Sequence, residues 1–232
     1  MTDIVQIHRL TKTYGHHLAL DDVTLNIPSG KIIGLLGPNG SGKTTLIKLM
    51  NGLLKPTKGE LVIDGYKPSV ETKKIVSYLP DTSYLHEDMK IKDALTLFED
   101  FYEDFERSRA EKLCQELSLD VNERLKNLSK GNKEKIQLIL VMSRKARLYV
   151  LDEPIGGVDP AARDYILKTI ISNYSEEASV IISTHLITDI EPILDQVVFL
   201  KEGKIVLEGN TDDLRQEYGN SIDHLFRETF KA

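Results

Sequence analysis

The sequence predicts an α/β fold: a parallel sheet, an antiparallel β subdomain and an inserted α-helical subdomain. Three observations carry that prediction. Apolar runs at residues 32–36, 148–151 and 179–183 are continuous, as in strands buried within a parallel sheet. Val23-Thr24-Leu25-Asn26-Ile27 alternates instead, as in a half-exposed antiparallel strand. Between about 82 and 146 no strand pattern occurs, and apolar residues recur at helical spacing.

In chain order, strands are expected at 4–8 and 18–27, followed by a turn at Pro28-Ser29-Gly30. Ile32 to Leu36 is a buried strand, and Thr45 to Met50 is helical. Glu60 to Ile63 and Ile75 to Leu79 are short strands, closed by Asp64-Gly65 and by Pro80. Ile91, Ala94, Leu95, Phe98 and Phe101 define one amphipathic helix, with Glu99, Asp100, Glu103 and Asp104 read as its solvated face. Leu113, Cys114 and Leu117 mark a second, and Lys133 to Ser143 a third. Leu148 to Leu151 and Ser179 to Ser183 return to strand, separated by a helix from Ala161 to Asn173. Leu186 to Leu194 is helical. Val197 to Leu200 and Ile205 to Leu207 flank Glu202-Gly203 and form a hairpin. Two short helices, about 211–218 and 221–230, end the chain. The expected division is an α/β core with its antiparallel β subdomain at 1–81 and 147–210, a helical subdomain at 82–146 and C-terminal helices at 211–232.

The 232 residues are 41% hydrophobic and 28% charged, enough for a sizeable core. The net charge of −6 argues against nucleic acid as a partner, since phosphate backbones need clustered Lys and Arg. The lone Cys114 permits no internal disulfide and reads as a small buried hydrophobe. Residues 1–6 lack a basic region followed by an apolar run, so no signal peptide is expected. No apolar stretch approaches the roughly 20 residues that cross a bilayer.

The chemistry centres on Gly37-Pro38-Asn39-Gly40-Ser41-Gly42-Lys43-Thr44-Thr45, where a buried strand hands over to a helix. Glycines there let the backbone turn with positive φ and approach a ligand. Successive N–H groups make a concave nest for anions, and the helix N-terminus adds partial positive charge. Lys43 supplies a full charge for phosphates and Thr44 a hydroxyl for Mg²⁺, so the loop meets the G-x-x-x-x-G-K-[ST] pattern of a nucleotide-binding P-loop. Asp152-Glu153 ends the strand at 148–151, where ligands sit in parallel α/β sheets. Asp152 is placed to hold Mg²⁺ and Glu153 to orient or deprotonate a water. His185, at the end of the next strand, is placed to reach a γ-phosphate. Ser129 and Gly131 open the helix of residues 133–143, giving a second anion site about ninety residues from the first. One nucleotide hardly needs both sites in one chain, whereas two facing chains would use both.

Together these motifs resemble the ATP-binding subunits of bacterial ABC transporters, across nearly the whole chain and in the family's motif order. Tyr14 looks like the adenine-stacking aromatic, Gly37 to Thr44 like Walker A, and Tyr149 to Glu153 like Walker B with its catalytic glutamate. Gly157-Val158-Asp159 looks like the D-loop, His185 like the switch histidine, and Leu128 to Asn132 like the LSGGQ signature. The resemblance implies a P-loop NTPase core, Mg²⁺-dependent ATP hydrolysis and two ATP sandwiched between two such subunits. It also implies separate transmembrane permease subunits and a place on the cytoplasmic face of the membrane. The style is most similar to single-domain subunits of exporters for peptides, antibiotics or similar amphiphiles. Two departures stand out. Lys130 and Asn132 replace a glycine and a glutamine of the signature, leaving Ser129 and Gly131. After Tyr78-Leu79-Pro80 the family carries a glutamine, and here Asp81 stands, putting its role at Mg²⁺ in doubt.

Other nucleotide chemistries fit less well. ABC-type ATPases of DNA maintenance carry long coiled coils, for which 82–146 is too short and lacks heptads. Those of translation carry two cassettes in a chain. A GTPase would need N-K-x-D, which Asn132-Lys133-Glu134-Lys135 begins but does not complete.

Overall fold

The computed structural model describes residues 2–156, 160–175 and 177–231. β1 (Asp3–Tyr14) turns at Gly15 into β2 (His17–Pro28), where Val23 to Ile27 alternates between buried and exposed as predicted. β1 runs well past residue 8. Register shifts and a positive φ at Arg9 make its second half a bulged strand, which erases the alternation that would have announced it. β3 (Ile32–Leu36) is buried throughout and leads into α1 (Lys43–Met50). β4 (Lys58–Ile63) pairs with β1, giving a three-stranded antiparallel sheet of order β2-β1-β4. α2 (Val70–Ile75), absent from the sequence reading, precedes β5 (Val76–Leu79). It buries Thr72 alone, whose hydroxyl accepts from the Ser69 N–H at 2.9 Å.

α3 (Ile91–Phe101), α4 (Arg107–Glu116), a 3₁₀ turn at Leu125–Asn127 and α5 (Lys130–Met142) form a helical layer. Its core includes Leu95, Phe98, Leu113 and Cys114 with Ile136, Ile139 and Leu140 of α5. Burial pushes the Cys114 thiol up to about 11, so it stays a protonated, inert hydrophobe. The other side of α5, with Leu138, Val141 and Met142, packs on the sheet core. Two expectations are corrected here. Phe101 ends α3 with 75% of its surface exposed, so it is not part of the buried stripe. The acidic cluster is not wholly a solvated face either. Asp104 lies beyond α3 and accepts from Arg144 Nε at 2.9 Å and Nη2 at 3.1 Å. Arg144 is fully buried, also donates to the Val76 and Lys74 carbonyls, and stacks on Tyr102, which ties the helical layer to β5.

β6 (Leu148–Asp152), α6 (Pro160–Asn173) and β7 (Ser179–Thr184) follow. α7 (Ile187–Ile190) tightens into a 3₁₀ turn at Glu191–Ile193 instead of continuing as one α-helix, because Pro192 lacks an N–H to donate. β8 (Gln196–Lys201) and β9 (Lys204–Asn210) form the expected hairpin, with both turn residues at positive φ, 47° at Glu202 and 78° at Gly203. α8 (Thr211–Tyr218) and α9 (Ile222–Thr229) close the fold, capped by Asn210 and Ser221.

The larger sheet has the order β5-β6-β7-β3-β8-β9, parallel except for β9. Successive residues of β3 face opposite cores. Ile33 and Leu35 meet α1 and the antiparallel sheet, while Ile32 and Leu36 meet the layer containing Ile166, Ile187 and Leu225. This two-faced burial explains the continuous apolar run in the sequence. It also places β7 between the P-loop strand and the Asp152 strand, so the carboxyl ends of all three lie side by side.

Candidate active site

The loop after β3 is shaped by contacts that only glycine allows. Gly42 sits at the start of α1 with φ 110°, and a Cβ there would lie 2.7 Å from the Ala19 carbonyl. A Cβ on Gly37 would lie 2.4 Å from the Leu200 carbonyl. No side chain caps α1, so its first N–H groups stay available. Lys43 opens that helix and is 6% exposed. Its ammonium donates to the Gly37 carbonyl at 2.7 Å and the Pro38 carbonyl at 3.2 Å. A lysine has three donors. Here the loop takes two, and Glu153 Oε1, 3.9 Å away, marks where the charge is directed. Burial lowers the Lys43 pKa, opposed by the nearby charges of Glu153 and Asp152.

The Asp152 and Glu153 side chains have different surroundings. Asp152 is 1% exposed, and Ser183 donates to its Oδ1 at 2.5 Å. Its Oδ2 is buried and accepts no hydrogen bond. Burial raises the Asp152 pKa, tempered by the Ser183 and Thr44 hydroxyls. Glu153 has a positive φ of 52°, rare for this residue type, and its N–H donates to the Ser183 carbonyl at 3.0 Å. The kink swings its carboxylate out of line with Asp152. Oε2 meets His185 Nδ1 at 3.1 Å while Oε1 faces Lys43.

The P-loop, Glu153 and several more of the expected residues line one cleft of about 260 Å³: Tyr14, Asn39 to Thr45 and Asp81. Tyr14 is at its mouth, 44% exposed, with the Lys12 ammonium 5.1 Å from its ring centre. Ser129 and Gly131 do not line the cleft. They start α5, Ser129 exposed and Gly131 half-buried; the Ser129 hydroxyl accepts from the Asn132 N–H at 3.3 Å and nothing lies within 4 Å of a Cβ built on Gly131. Asp159, with Gly157 and Val158, lies outside the described residues. Nothing local in the sequence marks Ser183 as a site residue. Its role becomes visible only through the β6–β7 register, which pairs it with Asp152.

Among the described residues no group of three or more His, Cys, Asp or Glu side chains could hold a metal by itself. The donors present fit Mg²⁺ nonetheless, because this ion is commonly bound by one or two protein ligands plus substrate phosphates. The unpartnered buried Oδ2 of Asp152 is such a ligand, and the Thr44 hydroxyl beside it is a second.

Comparison with known proteins agrees with this geometry. Residues 20–156 match the ABC transporter family, more than half of the chain. The chain belongs to the ABC transporter family. Its members hydrolyse ATP, and this ABC protein is an ATP-binding ATPase. The lantibiotic transport ATP-binding protein SrtF of Streptococcus pyogenes is 30% identical to it over 224 residues, covering 94% of this chain and 97% of SrtF. The SkfA peptide export ATP-binding protein SkfE of Bacillus subtilis (strain 168) is 29% identical, covering 88% and 87%. A solved ATP-binding subunit of an ABC transporter superposes with a TM-score of 0.89 at 29% identity, over 98% of this chain and 100% of that one. Among the described residues of this ABC ATPase, no helix is long and apolar enough to cross a membrane.

Proposed function

We propose that this chain is the ATP-hydrolysing subunit of an exporter, working as a dimer that closes around two ATP and drives separate transmembrane permease subunits. Each nucleotide is shared. The P-loop of one chain holds its phosphates, and Ser129 and Gly131 of the other cover them. The observation that supports the reading is a separation within one chain: a cleft with Lys43 and Glu153, and the Ser129–Gly131 helix start, which lies outside that cleft. A facing copy supplies what each cleft lacks.

Within the cleft, Tyr14 stacks the adenine and the loop N–H groups with Lys43 take the phosphates. Thr44 and Asp152 would hold Mg²⁺. When bound, Mg²⁺ neutralises charge that builds up on the phosphate oxygens. Glu153 aligns or deprotonates the attacking water, held by Lys43 on one oxygen and His185 on the other. The permease contact is assigned to an apolar groove of about 700 Å³ between α1, α2 and α3, where Leu53, Leu97 and Phe101 are exposed. Export of peptide-like cargo is supported by the names of SrtF and SkfE, matched over most of their lengths.

Glu153→Gln tests the reading. It should lower turnover by about 10²–10⁴ while leaving ATP binding intact, the range for a general base. It should therefore accumulate an ATP-dependent dimer in size-exclusion runs. Normal turnover in the variant would remove Glu153 from the role.

A further inference from the structure

We propose that Asp81 sets the metal requirement of nucleotide binding in this chain, admitting the Mg²⁺ complex and repelling the bare nucleotide. The proposal rests on the reading that the cleft binds ATP with Mg²⁺. Its basis is the charge inventory of the cleft. Among the described residues of the lining, Lys43 is the one full positive charge, while Asp81 and Glu153 contribute carboxylates. Asp152 adds a third carboxylate just beneath, in contact with Ser183. Lys12 lies at the rim, but its ammonium is turned to the Lys55 carbonyl at 2.9 Å and to the Tyr14 ring. His185 is committed to Glu153.

Glu153 and Asp152 therefore face one buried ammonium, and Asp81 adds a further carboxylate to the same cleft, at the place where a nucleotide brings several more negative charges. Like charges at close range disfavour each other, and desolvation in a cleft strengthens the effect. Asp152 and Glu153 have work that fixes their charge. Asp81 has none that the geometry shows. It is exposed, it joins no metal-binding cluster, and it follows Pro80 at the end of β5. Its carboxylate nevertheless lines the same cleft as Lys43, Thr44 and Glu153, so its charge faces whatever occupies that cleft. So Asp81 acts on the ligand through space. A metal-free nucleotide meets this carboxylate uncompensated. A metal complex carries its own positive charge to the same spot.

The test uses the N-methylanthraniloyl derivative of ATP as a fluorescent probe, titrated against the full chain in Mg²⁺ and in EDTA. Asp81→Asn and Asp81→Gln remove the charge, and Asp81→Glu keeps it. The parent should bind the probe at least about tenfold more tightly with Mg²⁺. Both neutral variants should narrow that ratio by about fivefold, the scale of one exposed charge pair, and the gain should appear in the EDTA arm. The glutamate variant should keep the parent's ratio, and added salt should shrink the difference between parent and neutral variants. An unchanged ratio in both neutral variants would overturn the proposal, as would an equal loss in both arms, which would make Asp81 structural. A parent that fails to bind even with Mg²⁺ would instead contradict the ATP site itself.

Discussion

The two helices proposed to offer N–H groups to phosphate, α1 and α5, begin in opposite ways. α1 starts from a glycine at φ 110° with no side-chain cap, and its first residue, Lys43, is buried. α5 starts from Ser129 in extended backbone, its hydroxyl already serving the Asn132 N–H, with Ser129 and Lys130 exposed and the rest of its first turn half-buried. One is a loop whose close contacts only glycine allows, with its helix start left uncapped. The other is a self-sufficient helix start that folds whether or not a nucleotide arrives. The difference teaches where the cost of function sits. The P-loop half of the site is maintained by close glycine contacts and burial within the chain. The signature half is cheap to fold and depends on what faces it.

The largest effect should come from giving each helix start a methyl group. Gly42→Ala forces a side chain to φ 110° and into contact with the Ala19 carbonyl at 2.7 Å. It should cost about 3 kcal/mol or more of stability, read by urea unfolding, and remove nucleotide binding. Gly131→Ala meets open space. It should leave stability and monomer nucleotide binding unchanged while slowing turnover. Equal destabilisation by the two would erase the contrast.

A smaller effect is expected at Asp152. Its folded pKa is raised by burial above the ordinary 3.8, so the folded chain holds this proton more tightly than the unfolded one. Stability should therefore fall as pH rises from about 3.8 through the folded pKa. Asp152→Asn should abolish that slope and raise the stability of the metal-free chain at neutral pH by about 1 kcal/mol, while losing stabilisation by Mg²⁺ and ATP. Thermal melts of both chains across pH, with and without ligand, check the sign. The smallest effect is Ser129→Ala, which removes a cap worth about 1 kcal/mol and should leave ATP binding to the single chain untouched in equilibrium dialysis.

The fold was legible where a local pattern served one purpose. The strand-to-helix P-loop, the continuous run of β3 and the Glu202-Gly203 turn each follow from nearby residues. α2 was hidden because it buries one residue and so shows no periodicity. The second half of β1 was hidden by bulges. In the site, Lys43, Thr44, Asp152, Glu153 and His185 were readable as residue types at strand and helix ends. Ser183 was not, because its partner lies 31 residues away in sequence and meets it only through strand pairing. The groove residue Phe101 was misread for a related reason. Spacing marks a face of a helix, and only the packing tells which part of that face is covered.

The most direct test of the shared site mixes two broken chains. Lys43→Ala spoils the P-loop and leaves a good Ser129–Gly131 surface. Ser129→Arg fills the space that a partner's nucleotide needs and leaves a good P-loop. Each alone should be nearly inactive, since pre-positioned donors of this kind are worth about 3–4 kcal/mol each in the transition state. A mixed dimer has one site damaged twice and one intact. The account predicts that mixing restores nucleotide occlusion and single-turnover hydrolysis, greatest near an equal ratio. No rescue at any ratio, with mixed dimers demonstrated by crosslinking, would contradict it.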